Sequence, residues 1–266
     1  MFKTVQVDDA VLRYELRKKA GATALLLLNP LAASLEVWDA QLEELGRVFT
    51  LIRFDPRGHG ESTVGTKAEL TMEDLARDAR AVLDAAGVER AHLCGLSIGG
   101  MTAMKMATLW PERVEKLVLC ATTPYMPTAE MWQDRIGTAL KDGLGALVNG
   151  TLQRWFTPQF HAARPEDVQR VRALLLKTDP RGYAASAAAI RDMDQRESIK
   201  SISAPTLVIA GALDPGVPPT QSELITGSIK GADLRVLDSA HLINVEQPAA
   251  FNSAVLEFLA GSKSQS

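Results

Sequence analysis

Only two cysteines, four histidines and 5% aromatic residues are spread over the 266 positions of this chain. Two cysteines cannot build a disulfide framework, and no His/Cys cluster has metal-ligand spacing, so the chain has neither a stapled secreted scaffold nor an evident zinc site. Cys94 and Cys120 fall inside apolar runs, where a small buried thiol is the expected role. No apolar run approaches membrane-spanning length, and Met1–Asp9 has no signal-like apolar core. A cytoplasmic protein that binds no membrane is expected. The formal charge of −3 comes without a basic face, which argues against nucleic acid as a partner. Repeats and low-complexity segments are also missing. What remains is 46% hydrophobic and 23% charged residues, ordinary for a globular chain long enough to bury a full core.

Apolar runs and helical patterns alternate along that chain. Residues 3–17 pattern as an antiparallel hairpin, and Ala24–Leu28 is a continuous apolar run of the kind buried on both faces. Ser34–Leu45 reads as a helix, Thr50–Asp55 as a strand, and Asp55-Pro-Arg-Gly-His-Gly as a turn. Thr71 with Asp74 makes a capping-box start to a helix whose inner face is Leu75, Ala79, Val82 and Leu83, with Gly87 as its stop. Strands follow at 90–95, 116–121, 206–211 and 233–237, and Pro248–Leu259 closes the chain as a helix before a tail after Ala260 that is expected to fray. This alternation predicts an α/β fold, with a mostly parallel central sheet and helices on both faces. Between Pro124 and Ser201 no strand appears. Helical patterns at 131–140, 144–156, 165–176 and 181–193 predict an inserted helical cap, so that 1–123 and 202–266 form the core and 124–201 the insertion.

The chemistry is carried by Gly95-Leu96-Ser97-Ile98-Gly99, a G-x-S-x-G pentapeptide between a predicted strand and a predicted helix. That context makes it a nucleophile elbow: the flanking glycines permit a tight turn that projects the Ser97 hydroxyl, and the Ile98 N–H sits at a helix N-terminus beside it. A serine nucleophile needs a histidine base and an acid to hold it, in the chain order Ser, acid, His for such elbows. His59 precedes the elbow and is expected to brace its loop, His92 is on the elbow strand, and His161 is in the cap. His241, after the last predicted strand, is the base. Asp214 ends the strand run Leu207-Val-Ile-Ala-Gly-Ala-Leu and precedes Pro215, at a carboxyl edge of the sheet where ligands gather, and is the acid. Asp238, three residues before His241, is the competitor and is expected to cap its loop; Asp192 and Asp194 are read as cap salt-bridge partners. The second oxyanion donor is expected from the loop after Leu28. Pro30 has no N–H, so Leu31 is paired with Ile98, while Asn29 either braces that turn or forms a simple Asx turn.

With these residues the chain resembles the α/β-hydrolase superfamily and, more narrowly, the bacterial 3-oxoadipate enol-lactonases. The general motifs are Asn29-Pro-Leu-Ala with Trp38, Asp55-Pro-Arg-Gly-His-Gly-Glu-Ser, the elbow, Pro111-Glu-Arg-Val, and His241-Leu-Ile-Asn-Val-Glu-Gln-Pro. The more specific ones lie in the cap: Arg154-Trp-Phe-Thr-Pro, Val171-Arg-Ala-Leu-Leu-Leu, Gly182-Tyr and Ala189-Ile-Arg-Asp-Met-Asp. The resemblance implies serine-dependent opening of a small carboxylate-bearing enol-lactone to a keto acid, without metal or organic cofactor. It implies a cation for the substrate carboxylate, with Arg135 and Arg191 as nominees. Independently of it, the cap residues Trp132, Trp155 and Phe156 are expected either to shape an apolar pocket over the serine or to pack the cap on the core. Another esterase or lactonase, a C–C bond hydrolase or a hydrolase-like small-molecule sensor would share the same machinery.

Overall fold

A computed structural model describes residues 1–261. The frayed tail expected after Ala260 therefore falls, past Gly261, outside the described residues. The chain opens with the hairpin β1 (Phe2–Val7) and β2 (Ala10–Arg17), followed by β3 (Ala24–Leu28), α1 (Leu42–Gly46) and β4 (Thr50–Phe54). Next come α2 (Met72–Ala86), β5 (Ala91–Leu96), α3 (Ile98–Leu109) and β6 (Val114–Cys120). After five helices without a strand, the alternation resumes with β7 (Thr206–Gly211), α9 (Pro219–Ser228), β8 (Asp233–Leu237), α10 (Ile243–Glu246) and α11 (Pro248–Ala260). The strands form one eight-stranded sheet in the order β1-β2-β4-β3-β5-β6-β7-β8. It is parallel from β4 to β8, and only β2, paired antiparallel to both β1 and β4, runs against the other strands.

Every residue of β3, β4, β5 and β7 is buried, as continuous apolar runs require when helices cover both faces. The Thr71–Asp74 capping box at the start of α2 is present in both directions, and Leu75, Ala79, Val82 and Leu83 face inward. Cys94 and Cys120 are free buried thiols on neighbouring strands. Among the described residues, no helix is long and apolar enough to cross a membrane.

One predicted helix comes out differently. Ser34–Leu45 divides into a 3₁₀ segment, Leu35–Gln41, and the short α1. The cause is competition for its carbonyls: Arg53 donates to Leu35 O and Asn244 to Val37 O, bonds that a regular i→i+4 ladder would otherwise fill. The interval between β6 and β7 holds α4 (Ala129–Asp142), α5 (Gly145–Trp155), α6 (Pro158–Ala163), α7 (Pro165–Leu176) and α8 (Pro180–Asp192). Of these only the short α6 has no counterpart in the sequence pattern; Thr157 caps it and Pro158 opens it. The insert meets the body of the protein backbone to backbone. A methyl group on Gly58 would lie 2.5 Å from the Gly182 Cα, and the Asp179 N–H donates to Gly58 O beside it.

Candidate active site

Ser97 sits where β5 turns into α3, at φ 56° and ψ −120°, a backbone state that costs a non-glycine residue on the order of 1–3 kcal/mol. The turn closes only because its flanking residues lack side chains. A Cβ on Gly95 would lie 2.2 Å from the Gly99 carbonyl oxygen, and one on Gly99 would lie 2.1 Å from that of Leu28. The strain is held from behind by the Ser97 N–H donating to Cys120 O and the Thr122 hydroxyl donating to Ser97 O.

Asp214 lies in the turn after β7 and His241 in the loop after β8, both at the carboxyl edge of the sheet. The ring nitrogen Nδ1 of His241 is 2.6 Å from Asp214 Oδ2, while Oδ1 accepts the N–H groups of Gly216 and Val217 at 2.8 and 3.0 Å. That carboxylate has no proton to give, so Nδ1 carries the hydrogen and Nε2 keeps its lone pair. Ser97, Asp214 and His241 line one cavity, although no hydrogen bond joins Ser97 Oγ to Nε2 among the described residues. Asp238 does not line it; its carbonyl receives the Gln247 amide.

The turn after β3 is clamped around Leu31. The Asn29 side chain donates to Ala33 O and Phe54 O and accepts from Trp38 Nε1, so it braces the turn. Ala32, at φ 67°, donates its N–H to His59 Nε2 at 3.0 Å and receives the Thr178 hydroxyl from the insert on its carbonyl. Leu31 N–H and Ile98 N–H, by contrast, donate to no protein acceptor among the described residues. His161 and His92 play no part here: the first bonds Leu152 O within the insert, and the second packs edge-on against Phe49.

Burial pushes the pKa of His59 down from 6.5 to about 4. Neutral His59 therefore contributes stability that is complete above pH 6.5 and is lost as pH falls through about 4, where protonation also removes the acceptor for Ala32 N–H. The expected loss at pH 4 is about 3 kcal/mol. Urea unfolding of the wild type and His59→Gln from pH 7 to 4 checks this: the wild type should lose more stability than the variant by about that amount, and parallel curves would refute it.

The cavity holds about 610 Å³ and is roofed by α4 and α5. Trp132 and Trp155 both line it, with the Trp155 ring centred 5.9 Å from that of His241. Arg135 lines it as well, its Nε donating to the Tyr183 hydroxyl at 3.0 Å and its guanidinium lying over the Trp132 ring. Arg191 does not. It is tied outside the cavity to Asp192, Glu69 and Gln133, which satisfy its guanidinium and turn it away from the site. Arg154, part of a cap motif but not a nominee for the substrate carboxylate, lines the cavity near Arg135. Burial, then the Arg135 charge, both push its pKa down. Among the described residues the sole acid lining the cavity is Asp214, already engaged by His241, so two guanidiniums face this space without a carboxylate partner.

Residues 23–248 match the family described as alpha/beta hydrolase fold. The chain is 33% identical to "3-oxoadipate enol-lactonase 2" of Acinetobacter baylyi, over 95% of this chain and 94% of that one. The solved enol-lactonase of Burkholderia xenovorans LB400 superposes with a TM-score of 0.94 at 32% identity, covering 97% of this chain and all of the other. A solved hydrolase from Pseudomonas aeruginosa PA01 gives the same TM-score at 40% identity, with 98% of each chain covered. The elbow, the carboxyl-edge acid and histidine, and the strand order agree with that likeness, and the chain belongs to the α/β-hydrolase fold family.

Proposed function

We propose that this hydrolase opens a small enol-lactone bearing a carboxylate, of the 3-oxoadipate enol-lactone class, through an acyl-enzyme on Ser97. The observation that carries the reading is a single cavity with Ser97, His241 and Asp214 lining it and, in its wall, the guanidiniums of Arg135 and Arg154 without a carboxylate partner among the described residues. Two uncompensated cations in a largely apolar space favour an anionic ligand, and guanidinium matches a planar carboxylate. The similarity to enol-lactonases over nearly the whole chain supports the same substrate class.

In this reading the Ser97 hydroxyl attacks the lactone carbonyl as its proton passes to His241 Nε2, and Asp214 stabilises the resulting imidazolium. The N–H groups of Leu31 and Ile98 hold the oxyanion. Collapse breaks the ring C–O bond, and the imidazolium returns the proton to the departing enol oxygen. That enol tautomerises to a ketone, which favours opening. Water, deprotonated by His241, then releases the acid and restores Ser97.

Steady-state hydrolysis of freshly generated 3-oxoadipate enol-lactone, beside a neutral short-chain aryl ester, tests the substrate class. Strong preference for the lactone is expected; cleavage of the aryl ester alone would overturn the lactone while leaving a serine esterase. Arg154→Gln should lower kcat/KM for the lactone by about 10- to 100-fold, the worth of one charged hydrogen-bonding interaction, and change the neutral ester by less than about twofold. Equal losses on both substrates would remove Arg154 from carboxylate binding.

A further inference from the structure

Glu246 is a buried carboxylate on α10, five residues after His241, with no ion-pair partner among the described residues. Its oxygens are met by hydrogen-bond donors instead. One oxygen accepts both the N–H of Thr157, at 3.2 Å, and the Thr157 hydroxyl; the other accepts the N–H of Ala240 at 3.0 Å. Ala240 immediately precedes His241. Thr157 is the N-cap of α6, and its Oγ1 also accepts the N–H of Phe160. A second tie runs parallel: the N–H of Leu242, on the far side of His241, donates to Trp155 O at 3.0 Å. The His241 backbone is thus held from both flanks by the same short stretch of the insert, Trp155–Thr157, whose indole also lies against the imidazole.

A buried carboxylate without a cation is an expensive way to join two loops, and a neutral side chain could cross-link them at lower desolvation cost. What a carboxylate alone supplies is two acceptors and no donor, so that N–H groups from both loops can be received at once. Resting on the reading of His241 as the base, we propose that Glu246 is a positioning residue for the reaction: through Ala240 it sets the attitude of His241, and through Thr157 it couples that attitude to the roof of the substrate cavity. The groups facing His241 itself are Asp214, Ser97 and Trp155, with Arg135 and Arg154 in the same cavity wall. Glu246 acts on it through the backbone alone.

Glu246→Gln tests the idea on the full-length protein, because either orientation of the amide sets an NH₂ against one of the two backbone N–H groups. Three readouts are needed: the rate at which a fluorophosphonate labels Ser97, the pH profile of that labelling, and the downfield proton resonance of His241 Nδ1–H donated to Asp214. Labelling reports serine activation with no assumption about the natural substrate, so failure of the lactone reading leaves this test intact. The expected result is labelling slowed about 10- to 100-fold, a displaced acidic limb and a shifted or broadened resonance, with KM for any accepted ester changed less than about twofold. Thr157→Val removes the hydroxyl donor and keeps the carboxylate, and should move the same readouts in the same direction by less. Should Glu246→Gln fail to fold, the Thr157 variant decides alone. A variant that melts at lower temperature while labelling rate, pH profile and resonance stay at wild-type values would overturn the proposal and leave Glu246 as a structural tie.

Discussion

Ser97→Ala is expected to lower kcat by about 10⁴- to 10⁶-fold on any ester the protein accepts, because the alanine methyl cannot form the acyl-enzyme and only cavity binding and oxyanion stabilisation remain. Folding should survive, since the Ser97 side chain accounts for none of the bonds that close the elbow: its N–H and carbonyl do that work. A companion variant separates chemistry from strain. Ser97→Gly should be as inactive as alanine yet more stable by about 1 kcal/mol, since glycine tolerates the φ of 56° that alanine does not. Single-turnover kinetics and urea unfolding on the three proteins measure both effects. Residual activity within tenfold of wild type would end the assignment of Ser97 as nucleophile.

Asp214→Asn is expected to cost about 10⁴-fold in kcat with little change in fold, for a reason specific to the surrounding hydrogen bonds. Oδ1 receives two backbone N–H groups, from Gly216 and Val217, so the asparagine oxygen must occupy that position. The NH₂ is then forced toward His241 Nδ1, which can only accept. The imidazole hydrogen moves to Nε2, and the nitrogen that should take the serine proton is already protonated. Steady-state rates on the aryl ester, with thermal melting as a control, check the prediction. A loss below tenfold at an unchanged melting temperature would show that the carboxylate does not set the tautomer.

Much of this arrangement is legible before any coordinate is known, and the reasons differ by element. The sheet strands announce themselves because both faces are covered, which makes runs such as Leu25–Leu28 apolar without interruption. Ser97, Asp214 and His241 follow from order along the chain, since an elbow of this kind leaves one histidine in the right place. In the folded chain Asp214 and His241 meet at 2.6 Å. The arginines were harder. Arg191 and Arg154 are both arginines on insert helices, and residue type says nothing about which wall a helix presents. A usable signal did exist on α5: Leu147, Gly150, Thr151, Arg154 and Trp155 recur at helical spacing and all line the cavity, so Arg154 lies within the inward stripe. Arg191, followed directly by Asp192, carried its own surface partner in the sequence. Glu246 gave no such signal, because its partner Thr157 lies far away in the chain and reaches it only by the closing of the fold.

The seam between Gly58 and Gly182 separates two kinds of constraint. Where backbone rests on backbone, the approach of α8 to the turn at Gly58 is fixed by main-chain geometry, and any side chain at either position would push the two apart. The residues of α4 and α5 that face the cavity take no part in that contact. They can change in size and charge without touching that seam, so the cavity lining can vary at Leu147, Thr151 or Arg154 while the backbone contact stays. The same division marks out where a laboratory search for new specificities should diversify the chain, and names two glycines it should leave alone.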